Sequence, residues 1–411
     1  MSPRLSGRLS ARARNAMALS GCLVLIAFVP ACGVRVSPAS SSRTPASAVA
    51  LRAAHLFNST QGWELTGRRL ARTDDGGTTW ADITPTGVEP SSILRVDFSD
   101  PSVGWAVASG SPVSRDVSSF RVLRTQDGGY TWSQSNALTV SGTTDGYGQV
   151  WIASLGNEIG WISVQLPSGS AFSVAKLFQT LDGGMTWRQL TVPIAGRLRF
   201  FSPINGWVAG GAGGNQLYVT RDGGQSWQAV SLRRPTAVPA DWGQAAEVGL
   251  PSFLDSQHGV VASEYESPLT PQTLVYFDAT SDAGQSWVET KPVSVGISVG
   301  ELSGQYSIVD TSTWLLGVAG KLYTSNDGGS TWSVKAPDWS RFDPITSPSG
   351  QVSYGFDGLL FPVRGAGWAA IRSEHCLAAG PSVVKNPVGC ATATFVVKTS
   401  DGGASWIPIN Q

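Results

Sequence analysis

From about residue 50 to the C-terminus, apolar positions come in short runs that alternate with polar ones and stop at clusters of Gly, Asp, Asn, Ser and Pro. "RVLRT" (121–125), "KLFQT" (176–180), "QLYVT" (216–220) and "TFVVKT" (394–399) are of this kind. Alternation with a period of two, bounded by turn residues, predicts β-strands. Each of these strands runs into the same phrase, Ser/Thr-x-Asp-x-Gly-x-Ser/Thr-Trp. Seven copies end at Trp80, Trp132, Trp187, Trp227, Trp287, Trp332 and Trp406. The acidic slot holds Asp75, Asp127, Asp182, Asp222, Asp282, Asp327 and Asp401.

Those offsets describe a β-turn between two strands. A short Asp side chain accepts hydrogen bonds from backbone N–H groups just ahead of it. The Gly two positions later supplies φ > 0 without a Cβ clash. The slot directly after Asp is Gly six times and Ala283 once, which reads as less demanding. The hydroxyls bond within the loop, and Trp opens the next strand. A second pattern precedes each phrase: an apolar strand, a polar turn, then Gly-Trp, as in "DFSDPSVGW", "SLGNEIGW" and "FFSPINGW". Val260 replaces the Trp in unit five, and Thr313 replaces the Gly in unit six. Each unit therefore reads as four antiparallel strands that cannot bury their faces alone. Seven such units predict an all-β, seven-bladed β-propeller over residues 50–411, with the strands in chain order and no swapped closing strand.

Composition agrees. The 411 residues include 48 Gly, 24 Pro and 16 Trp, and only 14% are charged, which excludes disorder and a helical fold. The first 31 residues hold four Arg and no acid, leaving 25 basic against 29 acidic residues in the rest. Nucleic acid is not the expected partner, because that calls for a basic surface. The N-terminal Arg4, Arg8, Arg12 and Arg14 followed by the apolar run Ala16–Ala31 have the shape of a secretory signal over 1–31. "VPACG" resembles a bacterial lipobox, with Cys32 as the lipidated residue. Plain secretion and an uncleaved anchor are the rival readings, the latter against a run shorter than the roughly 20 residues that span a bilayer. Residues 32–49, rich in Ser, Pro and Ala, read as a tether. The expected location is extracytoplasmic, lipid-anchored at the outer face of the cytoplasmic membrane or in the envelope. Export leaves Cys376 and Cys390 as an even pair, a disulfide in an oxidising compartment or else two free thiols. No cofactor and no metal are expected, and the protein is expected to be a monomer.

The phrase is identified as the Asp-box, or BNR, repeat, found in sialidases, other glycoside hydrolases and many non-enzymatic propellers. Seven boxes paired with Gly-Trp strands look most like the photosystem II stability/assembly-factor-like propellers. That resemblance implies boxes on the rim away from any active site, and a role in membrane-protein assembly. Structural closure of turns is the favoured role for the seven Asp. Calcium needs six to eight oxygens, more than one box offers, and seven equivalent carboxylates do not make one differentiated catalytic site.

The Asp turns and the turns before Gly-Trp should share one face. The opposite face carries the long, irregular connections, where function tends to live. Trp242 and Trp339 occur there as Asp241-Trp242 and Asp338-Trp339, as exposed aromatics for a binding surface or as loop anchors folded down. Arg115, Asp116, Tyr147, Arg233, Arg234, Tyr265 between Glu264 and Glu266, and Arg341 are further candidates on that face. Arg95, Asp97, Arg197 and Arg199 alternate with apolar neighbours on inner strands, which turns them toward the central channel. Trp151 lies on an inner strand as core or channel wall. The sialidase pattern is missing: there is no "RIP", and adjacent Glu and Tyr in a strand point to opposite faces. Asp241, Glu264, Glu266 and Asp338 could supply a glycosidase pair, but no spacing singles them out. The expected function is a non-catalytic propeller that binds a protein, or a glycan, through its loop-rich face. A glycoside hydrolase and a structural envelope component are the alternatives.

Overall fold

Seven antiparallel sheets follow one another along the chain, each with the strands of its main four-stranded path hydrogen-bonded in chain order. The computed structural model describes residues 51–167, 174–296, 302, 305–345, 351–376 and 390–409. The expected signal segment, Cys32 and the expected tether lie outside the described residues. Blade 1 is Leu51–Leu56, Gly62–Thr66, Leu70–Thr73 and Ala81–Asp82. The other inner strands are Ile93–Phe98, Val150–Leu155, Gly196–Phe200, the pair Glu247–Val248 and Ser252–Phe253, Tyr306–Ile308, and Gln351–Val363. Blades 2 and 5 each add a strand from the crossing loop, Leu138–Ser141 and Val293–Val295. No strand is swapped at the closure: Gln351–Val363 to Ile407–Pro408 form blade 7 by themselves.

The core lies in the seams between blades, because each sheet is apolar on both faces and must cover both. The Gly-Trp strands fill those seams. Trp161 of blade 3 stacks flat on Phe200 of blade 4, with ring centroids 3.6 Å apart, and its indole N–H donates to the Gly223 carbonyl at 3.0 Å. Trp105 reaches across to the Gly156 carbonyl in the same way at 2.9 Å. The ring closes through Leu56, Trp368, Val396 and Ile409, and through Lys398 donating to the Gly76 carbonyl at 2.7 Å.

All seven Asp turns have one geometry. In blade 4, Thr220 donates to Asp222 Oδ1 at 2.8 Å and Ser226 donates to Oδ2 at 2.5 Å, while the Ser226 N–H donates to Oδ1 and the Gly224 N–H to the Thr220 hydroxyl. Both carboxylate oxygens are thus occupied by donors of their own turn. Each turn is also fastened to the turn before Gly-Trp in its blade: the residue after Asp donates its N–H to that turn, from Gly76 to Thr60 through Gly402 to Gly365, over 2.7–2.9 Å. This places the two sets of turns on one face and the long connections on the other.

The slot after Asp corrects the sequence reading. It is as demanding as the one behind it: Gly76, Gly128, Gly183, Gly223, Gly328 and Gly402 have φ of 66–77°, and Ala283 is forced to 58°. A Cβ in left-handed backbone costs about 1–2 kcal/mol. Ala283→Gly should therefore stabilise the protein by about 1 kcal/mol, read as a higher denaturant midpoint with an unchanged slope. Asp222→Ala should lower stability by roughly 1–2 kcal/mol, since it orphans the donors that close the turn. Added calcium should leave both melting temperatures where they are.

Candidate functional site

Inner strands from all seven blades line a central cavity of about 960 Å³. Strand register sorts the lining into rings. His55, Asp97, Arg199 and Ser252 stand opposite Trp63, Trp105, Trp207 and Val260 and share one level. Arg95, Trp151 and Arg197 pair two residues further on, with Val107, Ser163 and Ala209, and form a second level. Inner strands enter from the loop-rich face, so this second ring is the outer one on that side.

The electrostatics follow from burial around one guanidinium. Asp97 accepts from the N–H and the hydroxyl of Ser154, both at 2.7 Å, yet burial raises its pKa above the usual carboxylate value. Burial, reinforced by Arg199, pushes the His55 imidazole down to about 4, so it is neutral at ordinary pH. The Tyr306 hydroxyl donates to the Leu250 carbonyl at 2.6 Å, and burial pushes its pKa up to about 12. Arg95 donates to Gln149 Oε1 at 2.5 Å. Arg199 is exposed to the channel with its guanidinium 5.9 Å from the Phe201 ring.

The loop-rich face is sparser in aromatics than its sequence suggests. Trp339 is 2% exposed; it packs on Phe356 and Trp406, and its indole donates to the Gly320 carbonyl at 2.6 Å. Tyr265 is also buried, edge-on to Tyr276. Neither offers a ring to a partner. Of the two readings of Trp339, the structure takes the loop anchor: a crossing loop between blades needs an apolar anchor, and this indole supplies it, while Tyr265 is buried from within a strand of blade 5. Trp242 is half-buried on the same cluster as Val238, Tyr265 and Tyr276. Tyr147 is half-buried against Phe120. Arg234 is tied to the Pro239 carbonyl at 2.5 Å and lies over the Tyr265 ring. Asp338 caps its own 3-10 turn through Ser340, and Glu264 is buried. Of these loop candidates, Arg115, Asp116, Arg233, Asp241 and Arg341 are exposed.

The structure thus brings Arg95, Asp97, Arg197, Arg199 and Trp151 together and leaves the loop residues dispersed. Sequence reading missed His55, Ser252 and Tyr306. His55 was within reach, standing as far before Trp63 as Asp97 stands before Trp105. Tyr306 was not, because blade 6 has a shorter turn that pairs Ile308 with Trp314.

Blade 7 extends on the loop-rich side, where Cys376 and Cys390 face each other across two strands and are joined by a disulfide. Beside it, His375 Nε2 lies 2.7 Å from Asp343 Oδ2, and Ser373 donates to Asp343 Oδ1 at 3.1 Å. Serine and histidine both address the carboxylate and not each other, so this trio lacks the serine-to-imidazole bond of an acyl-transfer triad. Among the described residues no group of three or more His, Cys, Asp or Glu is placed to hold a metal.

No known protein family matches the chain, and no curated protein matches its sequence. The chain has low-identity similarity to solved structures. YCF48 bound to a D1 peptide is 18% identical over 77% of this chain and 80% of its own, with a TM-score of 0.45. The GH74 enzyme of Niastella koreensis is 14% identical over 88% of this chain and 69% of its own, at 0.29. The GH93 α-L-arabinofuranosidase of Fusarium graminearum, in complex with arabinobiose, is 13% identical over 85% and 95%, at 0.35.

Proposed function

We propose that this protein is a non-catalytic, extracytoplasmic binding propeller, tethered at Cys32, that engages a protein partner through its loop-rich face and the channel mouth. One observation carries the reading: the seven repeated carboxylates are saturated by their own turns, whereas the long, irregular connections lie on the opposite face and expose Arg115, Asp116, Arg233, Asp241 and Arg341. The resemblance to assembly-factor-like propellers supports a role in membrane-protein assembly. Capture of the tagged protein from its own membranes with mild crosslinking should recover one membrane complex repeatedly. Reversing the charge of Arg233 and Arg341 together should abolish that recovery. An empty capture, or one indifferent to those substitutions, removes the reading.

A second reading, glycoside hydrolysis, draws on Asp97, a carboxyl held in its protonated form to higher pH within a cavity. Release of sugar from a glycan panel by the wild type, lost in Asp97→Asn, would establish it.

A further inference from the structure

Blade 6 breaks the register of the other blades by one residue. In the others the first Thr of the Asp turn stands opposite a Gly, as Thr125 stands opposite Gly104. The residue before that Thr stands opposite the next position, which is Trp in every one of them except blade 5. In blade 6 Ser325 stands opposite Trp314, and Thr324 opposite Leu315. Side chains alternate across a strand, so the shift sends Trp314 to the other face of its blade. It packs into the seam with blade 5, against Val260 and Phe277. The seam with blade 7 receives Leu315 in its place. A second filler is also missing there. In four seams the residue before the turn's Thr reaches the turn carbonyls of the next blade: Arg72 to Pro101 and Gly128, Arg124 to Asn157, Gln179 to Gly223, and Lys398 to Gly76. In blade 6 that residue is Thr324, whose hydroxyl has no hydrogen-bond partner.

What the shift leaves is a cavity of about 320 Å³ between blades 6 and 7, opening at the Asp-turn face. Val309, Leu315 and Phe361 form its apolar walls, and the turns of Gly365 and Gly402 close its end. A methyl group added at Gly402 would meet nothing nearer than Gly365 Cα at 4.0 Å, whereas the same position in blades 2 and 3, Gly128 and Gly183, is covered by Arg72 and Arg124. Thr313, 7% exposed, and Thr324 turn hydroxyls into the cavity wall, and both oxygens are buried and unpartnered. A buried hydroxyl without a partner costs free energy that a ligand's hydrogen bond would offset. The charges at the mouth do not ask for an ion. Arg364 is held by Asp310 at 2.5 Å, and Asp401 is filled by donors of its own turn. An apolar cavity of roughly 150 Å³ takes benzene, so this one has room for a bicyclic ring. In the seams of blades 2 and 3 such a ring fills the corresponding place and donates an N–H to the next blade, Trp105 to Gly156 and Trp161 to Gly223.

We propose that the cavity between blades 6 and 7 binds an indole group, its ring between Leu315 and Phe361 and its N–H on the hydroxyls of Thr313 and Thr324. The site lies on the face opposite the proposed partner surface and does not rest on that reading. Calorimetric titration of the purified protein compares indole with indene, which has the same shape and no N–H. Indole should bind about tenfold more tightly, the size of one buried hydrogen bond. Thr313→Val combined with Thr324→Val should remove that preference and leave indene binding in place. Leu315→Trp sets an indole in the cavity from its own wall, and should raise the melting temperature and abolish binding. Thr324→Arg, which copies blades 1 and 2, should do the same and decides the matter if the tryptophan variant fails to fold. N-acetyltryptophanamide separates the sources. Binding as tight as that of indole points to a tryptophan side chain of another chain, and binding of indole alone points to a free small molecule. The proposal is overturned if indole does not bind at millimolar concentration, if indene binds as well as indole, if the preference survives the paired valine substitutions, or if binding persists when the cavity is filled.

Discussion

Trp161→Ala should destabilise the protein by about 4 kcal/mol, the upper range for deleting a fully buried aromatic. Trp161 is 0% exposed and fills the seam between blades 3 and 4 against Phe200, Leu177 and Leu198. The change removes the stacked pair and leaves a cavity. It also strips the Gly223 carbonyl of its indole donor, leaving it only Gln179 at 3.3 Å. Gly223 belongs to the blade 4 Asp turn, so the loss is felt in two blades. Chemical denaturation should show a markedly lower midpoint. The comparison variant is Trp227→Ala. Its ring is half-buried at the rim, 6.3 Å from Phe200, and the change should cost clearly less. Equal losses would mean that the seam tryptophans are not what holds neighbouring blades together.

At alkaline pH, Asp278→Asn should make the protein more stable, by about 2–3 kcal/mol. Asp278 occupies a slot that is Leu123 in blade 2, Phe178 in blade 3 and Val397 in blade 7, facing the preceding seam. It is 3% exposed, and its Oδ2 has no partner. Burial, with the charge of Glu289 nearby, raises its pKa to about 6. A carboxyl that binds its proton more tightly in the folded chain stabilises the fold below the unfolded pKa. That stability drains away as pH rises from about 4 to about 6 and stays lost above it. The gain from Asn should therefore be full at pH 8 and vanish near pH 4. A gain that is the same at both would show that the effect is steric.

The Asp-turn carboxylates act in the opposite sense. Hydroxyl and backbone donors of their own turns hold Asp75, Asp127, Asp182, Asp222 and Asp282 down to about 2. Their support is complete above about pH 4 and is lost as pH falls toward 2. Melting temperature against pH should therefore peak between the two windows. Asp278→Asn should move the peak upward in pH without touching the acid limb.

Much of this was written in the chain. Blade number, strand order and the face that carries the Asp turns all follow from offsets that repeat seven times, because a β-turn is a local object fixed by the residues inside it. The orientation of Arg95, Asp97, Arg197 and Arg199 also follows from alternation along a strand. The sequence reading of the Asp-Trp pairs was open, since exposure of a loop aromatic depends on what lies beneath the loop. The same dipeptide gives a buried Trp339 in one crossing and a half-buried Trp242 in another. The demand on the slot after Asp was misread for a related reason. A single Ala looked like tolerance, whereas the N–H at that slot is held by a carbonyl on a different turn, and Ala283 accepts the strain to keep the bond.

Sequence by itself determined the repeat, its turns and the side of each strand a residue faces, because these depend on neighbours a few positions away. Only the closed ring decided which residues meet. His55, Asp97, Arg199 and Tyr306 are separated by 42, 102 and 107 positions along the chain. They share one environment because the ring sets inner strands of blades 1, 2, 4 and 6 around one axis, and burial there, with the charge of Arg199, sets the protonation of the other three.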